Sequence, residues 1–252
     1  MKLENKTAFV TGASSGMGHA IALKFAGEGA TVIAVARRKE KLDALVTEGA
    51  GLPGKIIAKS GDVADFTGIV ALLDECFKEF GKLDILVNNA GIMDEMMPAA
   101  ECSDELWDKV IDTNLKGPFV ITRKWLNLML DNGGGVIVNT ASIGGLQGAR
   151  AGAAYTASKF GIVGLTKNTA FMYAQKGVRC NAIAPGGVAT EIAVGLKNPS
   201  AFGYERTSAG MGANPRYGAA EEIASVALFL ASDDSSFVNG TVVAADGGWS
   251  AY

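Results

Sequence analysis

The chain of 252 residues predicts an α/β protein, a parallel sheet with helices on both of its faces. Short apolar runs rich in β-branched residues recur along it, and longer helix-patterned segments separate them. The runs are apolar throughout instead of alternating, as strands buried on both faces are. Strands are expected at Thr7–Thr11, Thr31–Val35, Lys55–Lys59, Ile85–Val87, Val136–Thr140, Arg179–Ile183 and Val242–Ala244. Helices are expected at Gly18–Glu28, Lys39–Glu48, Phe66–Phe80, Ser103–Leu130, Ala153–Gln175 and Ala220–Ala231. Ser103 followed by Asp104 and Glu105 is a helix start, the acids complementing the dipole. The stretch from Gly186 to Arg216 shows no clear element and is rich in Gly, Pro, Ser and Asn; a loop this long reads as a substrate lid.

Hydrophobic residues make up 48% and charged residues 19%, a balance that supports a large core and argues against disorder. One domain over residues 1–252 is expected, since α/β folds of this size often stay undivided. Lys and Arg total 23 against 26 Asp and Glu, and no basic run is long enough to hold a nucleic-acid backbone. Nucleic acid is therefore excluded as an expected partner. So is a membrane, because no stretch approaches the roughly 18 apolar residues a span requires. The polar start Met1-Lys2-Leu3-Glu4-Asn5-Lys6 lacks the apolar core of a signal peptide, and a cytoplasmic location is expected. Cys76, Cys102 and Cys180 have no paired spacing and read as reduced packing residues. His19 is the only histidine, which leaves no histidine-rich metal site and argues against a serine-hydrolase triad.

The first strand runs into Thr11-Gly12-Ala13-Ser14-Ser15-Gly16-Met17-Gly18, and a helix follows. Glycines placed so lie where a dinucleotide pyrophosphate meets a helix amino terminus. A side chain at Gly12 or Gly16 would obstruct the phosphate or the φ > 0 turn, and one at Gly18 would push the helix off the strand. The GxxxGxG spacing differs from the GxGxxG fingerprint, and a simple tight turn is its plainer reading. After the second strand come Ala36, Arg37 and Arg38, with no acid to take a ribose 2′-hydroxyl. Arg37 offers a forked cation to a 2′-phosphate, so NADP(H) is favoured and NAD(H) is the alternative; the plainer reading has both arginines solvating the next helix.

Further motifs follow in order: Asp62-Val63, Asn88-Asn89-Ala90-Gly91, Asn114, Ser142, Tyr155 with Lys159, Pro185-Gly186 and Thr190. With the glycine turn, they make the chain resemble the short-chain dehydrogenase/reductase family over essentially its whole length. The resemblance implies a Rossmann-type doubly wound sheet of seven parallel strands and a homotetramer. It implies that Gly12, Ser14, Ser15, Gly16, Met17 and Gly18 form the pyrophosphate turn with Arg37 and Arg38 nearby, and that Asp62 and Val63 flank the adenine. Asn88, Ala90 and Gly91 would line the cofactor and steady the central sheet, and Pro185, Gly186, Val188 and Thr190 would sit against the carboxamide. A plain Asn/Gly turn is the other reading of 88–91. Asn114 would bind a water that passes protons to Lys159, which would also hold the nicotinamide ribose.

Tyr155 and Lys159 are four apart in a helix pattern, so both side chains emerge on one face. A free phenol has a pKa of about 10, and a neighbouring ammonium favours its ionised form, so Lys159 is expected to lower Tyr155. Ser142 follows the fifth strand and is placed to hydrogen-bond a substrate oxygen. The expected reaction is hydride transfer between NADP(H) or NAD(H) and a carbonyl or secondary alcohol, with Tyr155 as acid and base and no metal. A non-catalytic NADP(H) sensor is the rival, and such a protein would not need all of Asn114, Ser142, Tyr155 and Lys159. The pocket is expected to be framed by Ile143, Gly144, Leu146, Gly152, Val188 and the 186–216 stretch, with Arg150, Glu191, Lys197 and Arg206 in solvent. The substrate candidates are 3-oxoacyl thioesters, hydroxysteroids, sugars, and small cyclic ketones or alcohols. Some of Trp125, Phe160, Phe171 and Tyr173, with the segment 246–252, are expected to serve subunit contacts, and a fully internal core is the plainer reading.

Overall fold

Alternation along the central strands sorts their side chains into two cores. Ala8, Val10, Val32, Ala34, Ile85, Val87 and Val138 face one way, and Phe9, Ile33, Val35, Leu86 and Ile137 face the other. A computed structural model describes residues 1–191 and 196–251 of the chain. Part of the expected lid, 192–195, and the last residue of the 246–252 segment lie outside the described residues.

The elements follow in order as β1 (Thr7–Thr11), α1 (Gly16–Gly27), β2 (Thr31–Ala36), α2 (Lys39–Glu48), β3 (Lys55–Ser60), α3 (Phe66–Phe80), β4 (Ile85–Asn88), α4 (Asp104–Ile111) and α5 (Gly117–Met129). They continue as β5 (Gly135–Thr140), α6 (Ala153–Tyr173), β6 (Val178–Pro185), α7 (Ala201–Ser208), α8 (Ala220–Ala231) and β7 (Val242–Ala245). The seven strands form one parallel sheet in the order β3-β2-β1-β4-β5-β6-β7. Helices α1, α2 and α8 pack on one face, and α3, α5 and α6 on the other, a Rossmann-type doubly wound arrangement. Chain order reverses between β1 and β4, so the connections diverge there and leave a crevice above the strand ends.

Four expectations need correction. The long helix expected over 103–130 is continuous from Asp104 to Met129 but irregular, a π-turn at Asp112–Lys116 separating α4 from α5, with Pro118 just beyond it. Ser103 does cap α4, its Oγ accepting from the Leu106 amide at 3.3 Å. The 186–216 stretch contains the helix α7, whose cap Ser200 accepts from the Gly203 amide. β3 and β7 are the sheet edges and are only partly buried, unlike the runs covered on both sides. Trp125, expected on a subunit face, is wholly buried, and its indole Nε1 donates to the Leu83 carbonyl at 2.8 Å. Phe160 and Phe171 are exposed, as a surface role requires.

A polar chain crosses the second core. Asn88 Nδ2 donates to Thr122 Oγ1 on α5 and to Asn139 Oδ1 on the next strand, and Asn139 Nδ2 donates to Thr166 Oγ1 on α6 at 2.9 Å. Asn88 and Asn139 are register partners, so two strands and two helices are pinned at one level. A buried polar group left without a partner costs about 1–3 kcal/mol. Asn139→Ala is therefore expected to lower stability by about that amount, seen as a melting point about 2–4 °C lower per kcal/mol for a chain of this size. An unchanged melt would show that the chain of amides carries no stability.

Candidate active site

The β1–α1 turn and the loop after β4 approach each other more closely than side chains would permit. Gly12 has φ +70°, and a Cβ on it would lie 2.8 Å from the Ala90 Cα. One on Gly18 would lie 2.3 Å from the Gly12 carbonyl oxygen, which is the helix-against-strand packing the sequence suggested. Thr11 Oγ1 accepts from the Asn89 and Ala90 amides, and Asn89 Nδ2 donates to the Thr11 carbonyl. The amino end of α1 has no side-chain cap and no acid in its first turn, so its dipole faces the crevice, with the Glu191 carboxylate beside its N-cap Ser15.

A cavity of about 450 Å³ opens there, at the carboxyl edge of β1, β2, β4, β5 and β6. Of the expected site residues, Gly12, Ser14, Ser15, Gly16, Met17, Arg37, Arg38, Asp62, Val63, Ala90, Gly91, Ser142, Tyr155, Lys159, Pro185, Gly186, Val188 and Thr190 line it. Gly18, Asn88 and Asn114 do not. Gly18 is spent on packing, and Asn88 on the buried amide chain. Asn114 sits in the π-turn, where its Oδ1 accepts from the Ile92 amide and its Nδ2 donates to the Ile92 carbonyl and to Ser158 Oγ.

Arg38 Nη2 donates to Ser14 Oγ at 3.0 Å and Ser15 Oγ at 2.8 Å, and its Nη1 pairs with Glu191 at 2.9 Å. Arg37 lies 3.8 Å from the Asp62 carboxylate, so it already has an anionic neighbour. Arg38 holds the Glu191 carboxyl below its usual range.

At the other end, Ser142 Oγ accepts from the Gly144 amide at 2.9 Å. Lys159 is 4% exposed; its Nζ donates to the Thr140 carbonyl at 2.8 Å and stands 5.5 Å from the centre of the Tyr155 ring. Burial without a carboxylate partner pushes the Lys159 ammonium down to about 8. The expectation that Lys159 lowers the Tyr155 phenol is not met in this geometry. Burial raises Tyr155, a hydrogen bond from Ser142 pulls it back, and the charge of Asp94 raises it further.

The pocket frame also differs in part from the expected one. Ile143 and Val188 line the cavity, while Leu146 points to solvent and Gly144 and Gly152 are buried behind the wall. Arg150, expected in solvent, lines the cavity with its guanidinium 4.3 Å over the Trp249 ring and a bond to the Gly210 carbonyl. The 186–216 stretch supplies Tyr204 and Met211 to the cavity, and Met93, Met96, Tyr217 and Trp249, which the sequence reading missed, complete a largely apolar wall with them. The missed residues come from three separate segments and share no local pattern. Asp94 was missed as well: it is 0% exposed and accepts from the Tyr155 and Gly152 amides.

A doubly wound sheet with an uncapped glycine turn, a buried lysine and a phenol in one crevice defines a nucleotide-binding α/β oxidoreductase. A family model described as short chain dehydrogenase matches residues 6–200, and the chain belongs to that family. It is 45% identical to a 3beta-hydroxysteroid dehydrogenase 2 of Eggerthella lenta over 99% of this chain and 96% of that protein. It is 42% identical to a 3-oxoacyl-acyl-carrier-protein reductase of Thermotoga maritima, over 98% of this chain and 99% of that one. Among solved structures, a levodione reductase superposes with TM-score 0.88 at 38% identity, covering 99% of this chain and 100% of its own. An actinorhodin polyketide ketoreductase variant with NADPH superposes with TM-score 0.88 at 34% identity and 98% coverage of both. The chain is thus an NAD(P)-dependent short-chain dehydrogenase/reductase acting on a carbonyl or secondary alcohol.

The depressed Lys159 ammonium has a consequence for stability. Between about 8 and 10.5 the unfolded chain holds a proton that the folded site has released, so this site adds stability as pH rises through that window. The urea midpoint of the cofactor-free protein, measured against Lys159→Met from about pH 7 to 9.5, is expected to shift in favour of the parent as pH rises. A constant difference would show that the lysine is solvated.

Proposed function

We propose that this oxidoreductase prefers NADP(H) and interconverts a bulky alicyclic alcohol and its ketone, of the hydroxysteroid kind, with Tyr155 as acid and base. The observation that carries this is the convergence of Ser142 and Tyr155 on one cavity with the uncapped amino end of α1 at one side and the apolar wall at the other. The reading takes residues 1–252 as one nucleotide-binding domain with a lid at about 186–216.

The residues present fit a nicotinamide nucleotide. The glycine turn leaves a cradle that any Cβ would fill, and the α1 dipole favours an anion there. Gly12, Ser14, Ser15, Gly16 and Met17 would hold the diphosphate, Asp62 and Val63 would flank the adenine, and Ala90, Gly91, Pro185, Gly186, Val188 and Thr190 would meet the remainder. Asn88 would steady the strands beneath. Ser14, Arg37 and Arg38 gather where a 2′-phosphate would lie, and a dianion there would compete with Asp62 and Glu191 for their guanidinium groups. When bound, the nicotinamide gives or takes a hydride at the carbon that bears the substrate oxygen.

The chain's own groups manage the proton. The Ser142 hydroxyl donates to the substrate oxygen while charge gathers on it, a contribution worth most when bound substrate displaces water. Tyr155 Oη gives that oxygen its proton in reduction and removes it in oxidation. Burial holds Tyr155 protonated at neutral pH, which suits reduction, and a pH rise favours the opposite direction. Lys159 would hold the ribose hydroxyls and exchange protons with a water held at Asn114. A sensor needs no such pair of hydroxyls on one wall, and their convergence favours catalysis.

The wall of Met93, Met96, Tyr204, Met211, Tyr217 and Trp249 is too apolar to favour a polyol. The steroid dehydrogenase and levodione reductase among the relatives agree with a rigid alicyclic substrate. Exposed Trp107, Phe119, Phe160, Phe171 and Met172 supply apolar area for a homotetramer in the cytoplasm. Tyr155→Phe is expected to cut turnover by at least about 10²-fold with cofactor affinity within a few-fold, on 3-hydroxysteroids and cyclohexanols assayed at the nicotinamide absorbance. Near-parent turnover would refute the assignment. By fluorescence titration NADPH is expected to bind more tightly than NADH, and Arg38→Ala to weaken NADPH about tenfold or more while sparing NADH. Equal or stronger NADH binding in the parent would overturn the preference.

A further inference from the structure

The loop after β4 does more than approach the glycine turn. Its residues 94–97 run between the amino end of α6, which carries Tyr155 and Lys159, and the lid helix α7. Three of the first N–H groups of α6 find their partners in this segment. Asp94 accepts from Gly152 at 3.1 Å and from Tyr155 at 2.8 Å, and the Met97 carbonyl accepts from Ala153 at 2.8 Å. Gly152 itself supplies no capping side chain, and none would fit, since a Cβ would lie 2.5 Å from Met97 backbone atoms. The carboxylate that caps this helix is therefore borrowed from a loop 58 residues earlier.

On its other side the segment grips the lid. The Glu95 carbonyl accepts from Ser200, the cap of α7, at 3.0 Å, and Glu95 Oε2 accepts from the Lys197 and Asn198 amides at 2.9 and 3.2 Å. A Cβ on Gly203 would fall on the Met96 carbonyl, so α7 rests directly against this backbone. Glu95 and Met96 both have φ +55°, consecutive non-glycine residues in the left-handed region. Such a conformation persists only where its surroundings over-determine it. Here it lets neighbouring carboxylates point in opposite directions.

We propose that residues 94–97 are a two-sided clamp, in which Asp94 is a positioning residue for Tyr155 and Glu95 a positioning residue for the lid. Asp94 fixes where the phenol stands along the helix axis. Glu95 fixes the floor of the substrate pocket, to which Met96 contributes its side chain. Lid seating and phenol placement are then set by one short stretch of backbone. The proposal rests on Tyr155 being the acid and base.

The test compares Asp94→Asn, Glu95→Ala, Glu95→Gln and Tyr155→Phe in the full chain. Asp94→Asn keeps the shape but not the second acceptor or the charge, and is expected to lower kcat about tenfold or more with substrate KM nearly unchanged. The groups facing Tyr155 are Lys159 on its own helix, Ser142 after β5 and Asp94, and Arg150 lines the same cavity while engaged with Gln147, Gly210 and Trp249. Removing the Asp94 charge removes a cause that raises Tyr155, so the pH limit of kcat is expected to move to lower pH, which a loss of packing alone would not do. Glu95→Ala is expected to raise substrate KM several-fold with kcat retained, and Glu95→Gln, which keeps an acceptor oxygen, to restore KM.

Amide exchange gives a reading that needs no turnover: faster exchange over 152–158 in Asp94→Asn and over 197–208 in Glu95→Ala. If Asp94→Asn does not fold, the parent's Gly152 and Tyr155 amides decide. Exchange as slow as at Ile162 and Thr166 supports the clamp, and free exchange overturns it. Parent-like kcat and pH limit in Asp94→Asn, or parent-like KM in Glu95→Ala, also overturn it. Near-parent turnover in Tyr155→Phe instead removes the catalytic reading beneath it.

Discussion

The close approach of the β1–α1 turn to the loop after β4 is the contact on which the rest of the site depends. Backbone meets backbone there, at Gly12 and Ala90, with Thr11 and Asn89 exchanging hydrogen bonds across the gap. Because the strands that feed these turns are neighbours in the sheet, their spacing is fixed by the ladder between Ala8 and Ile85. The crevice therefore has its width set by main-chain geometry and not by side chains that can move. Everything downstream, from the exposed amino end of α1 to the wall carrying Tyr155, inherits that fixed edge.

Charge is arranged along the crevice with some economy. One end gathers Arg37 and Arg38, both exposed and both already beside acids. The other end holds a lysine so deeply buried that its ammonium is weakened, with a carbonyl as its neighbour. A ligand that brings anionic groups to the first end and hydroxyl groups to the second would find each where it is best solvated. The interior between them is lined largely by small residues, methionines and aromatic rings.

Much of this was legible in the sequence because it depends on local pattern. Continuous apolar runs marked the central strands, and the glycine spacing, Ser142 and the Tyr155–Lys159 pair marked the crevice. What escaped was set by distance in sequence. Asp94 reads as one more loop acid until the fold carries Gly152 to it, and the wall containing Tyr204 and Trp249 has no signature before the chain closes. The helix α7 was hidden by the glycine, serine and asparagine around it, which cap and flank a short helix as readily as they form a loop. The electrostatic reading of Lys159 and Tyr155 failed for a different reason. Spacing shows that two side chains share a face, but not how each is solvated, and the causes acting on the phenol are burial, Ser142 and Asp94, while burial acts on the lysine.

The π-turn at Asp112–Lys116 carries a lesson about which changes of length the chain can absorb. Each residue added to or taken from a helix turns everything beyond it by about 100°. Asn114 sits in that turn and is stitched on both sides of its amide to Ile92, while α5 beyond it delivers Trp125 and Thr122 into the core. The π-turn takes up one extra residue within about one turn, so the helix beyond it keeps its phase, whereas a single-residue deletion in the regular part of α5 before Thr122 would swing those two side chains away from the partners they now reach. Such a change is ordinarily harmless on a protein's surface; here the irregular turn acts as the phase adjuster between two parts of the molecule that must each stay in register with a different neighbour.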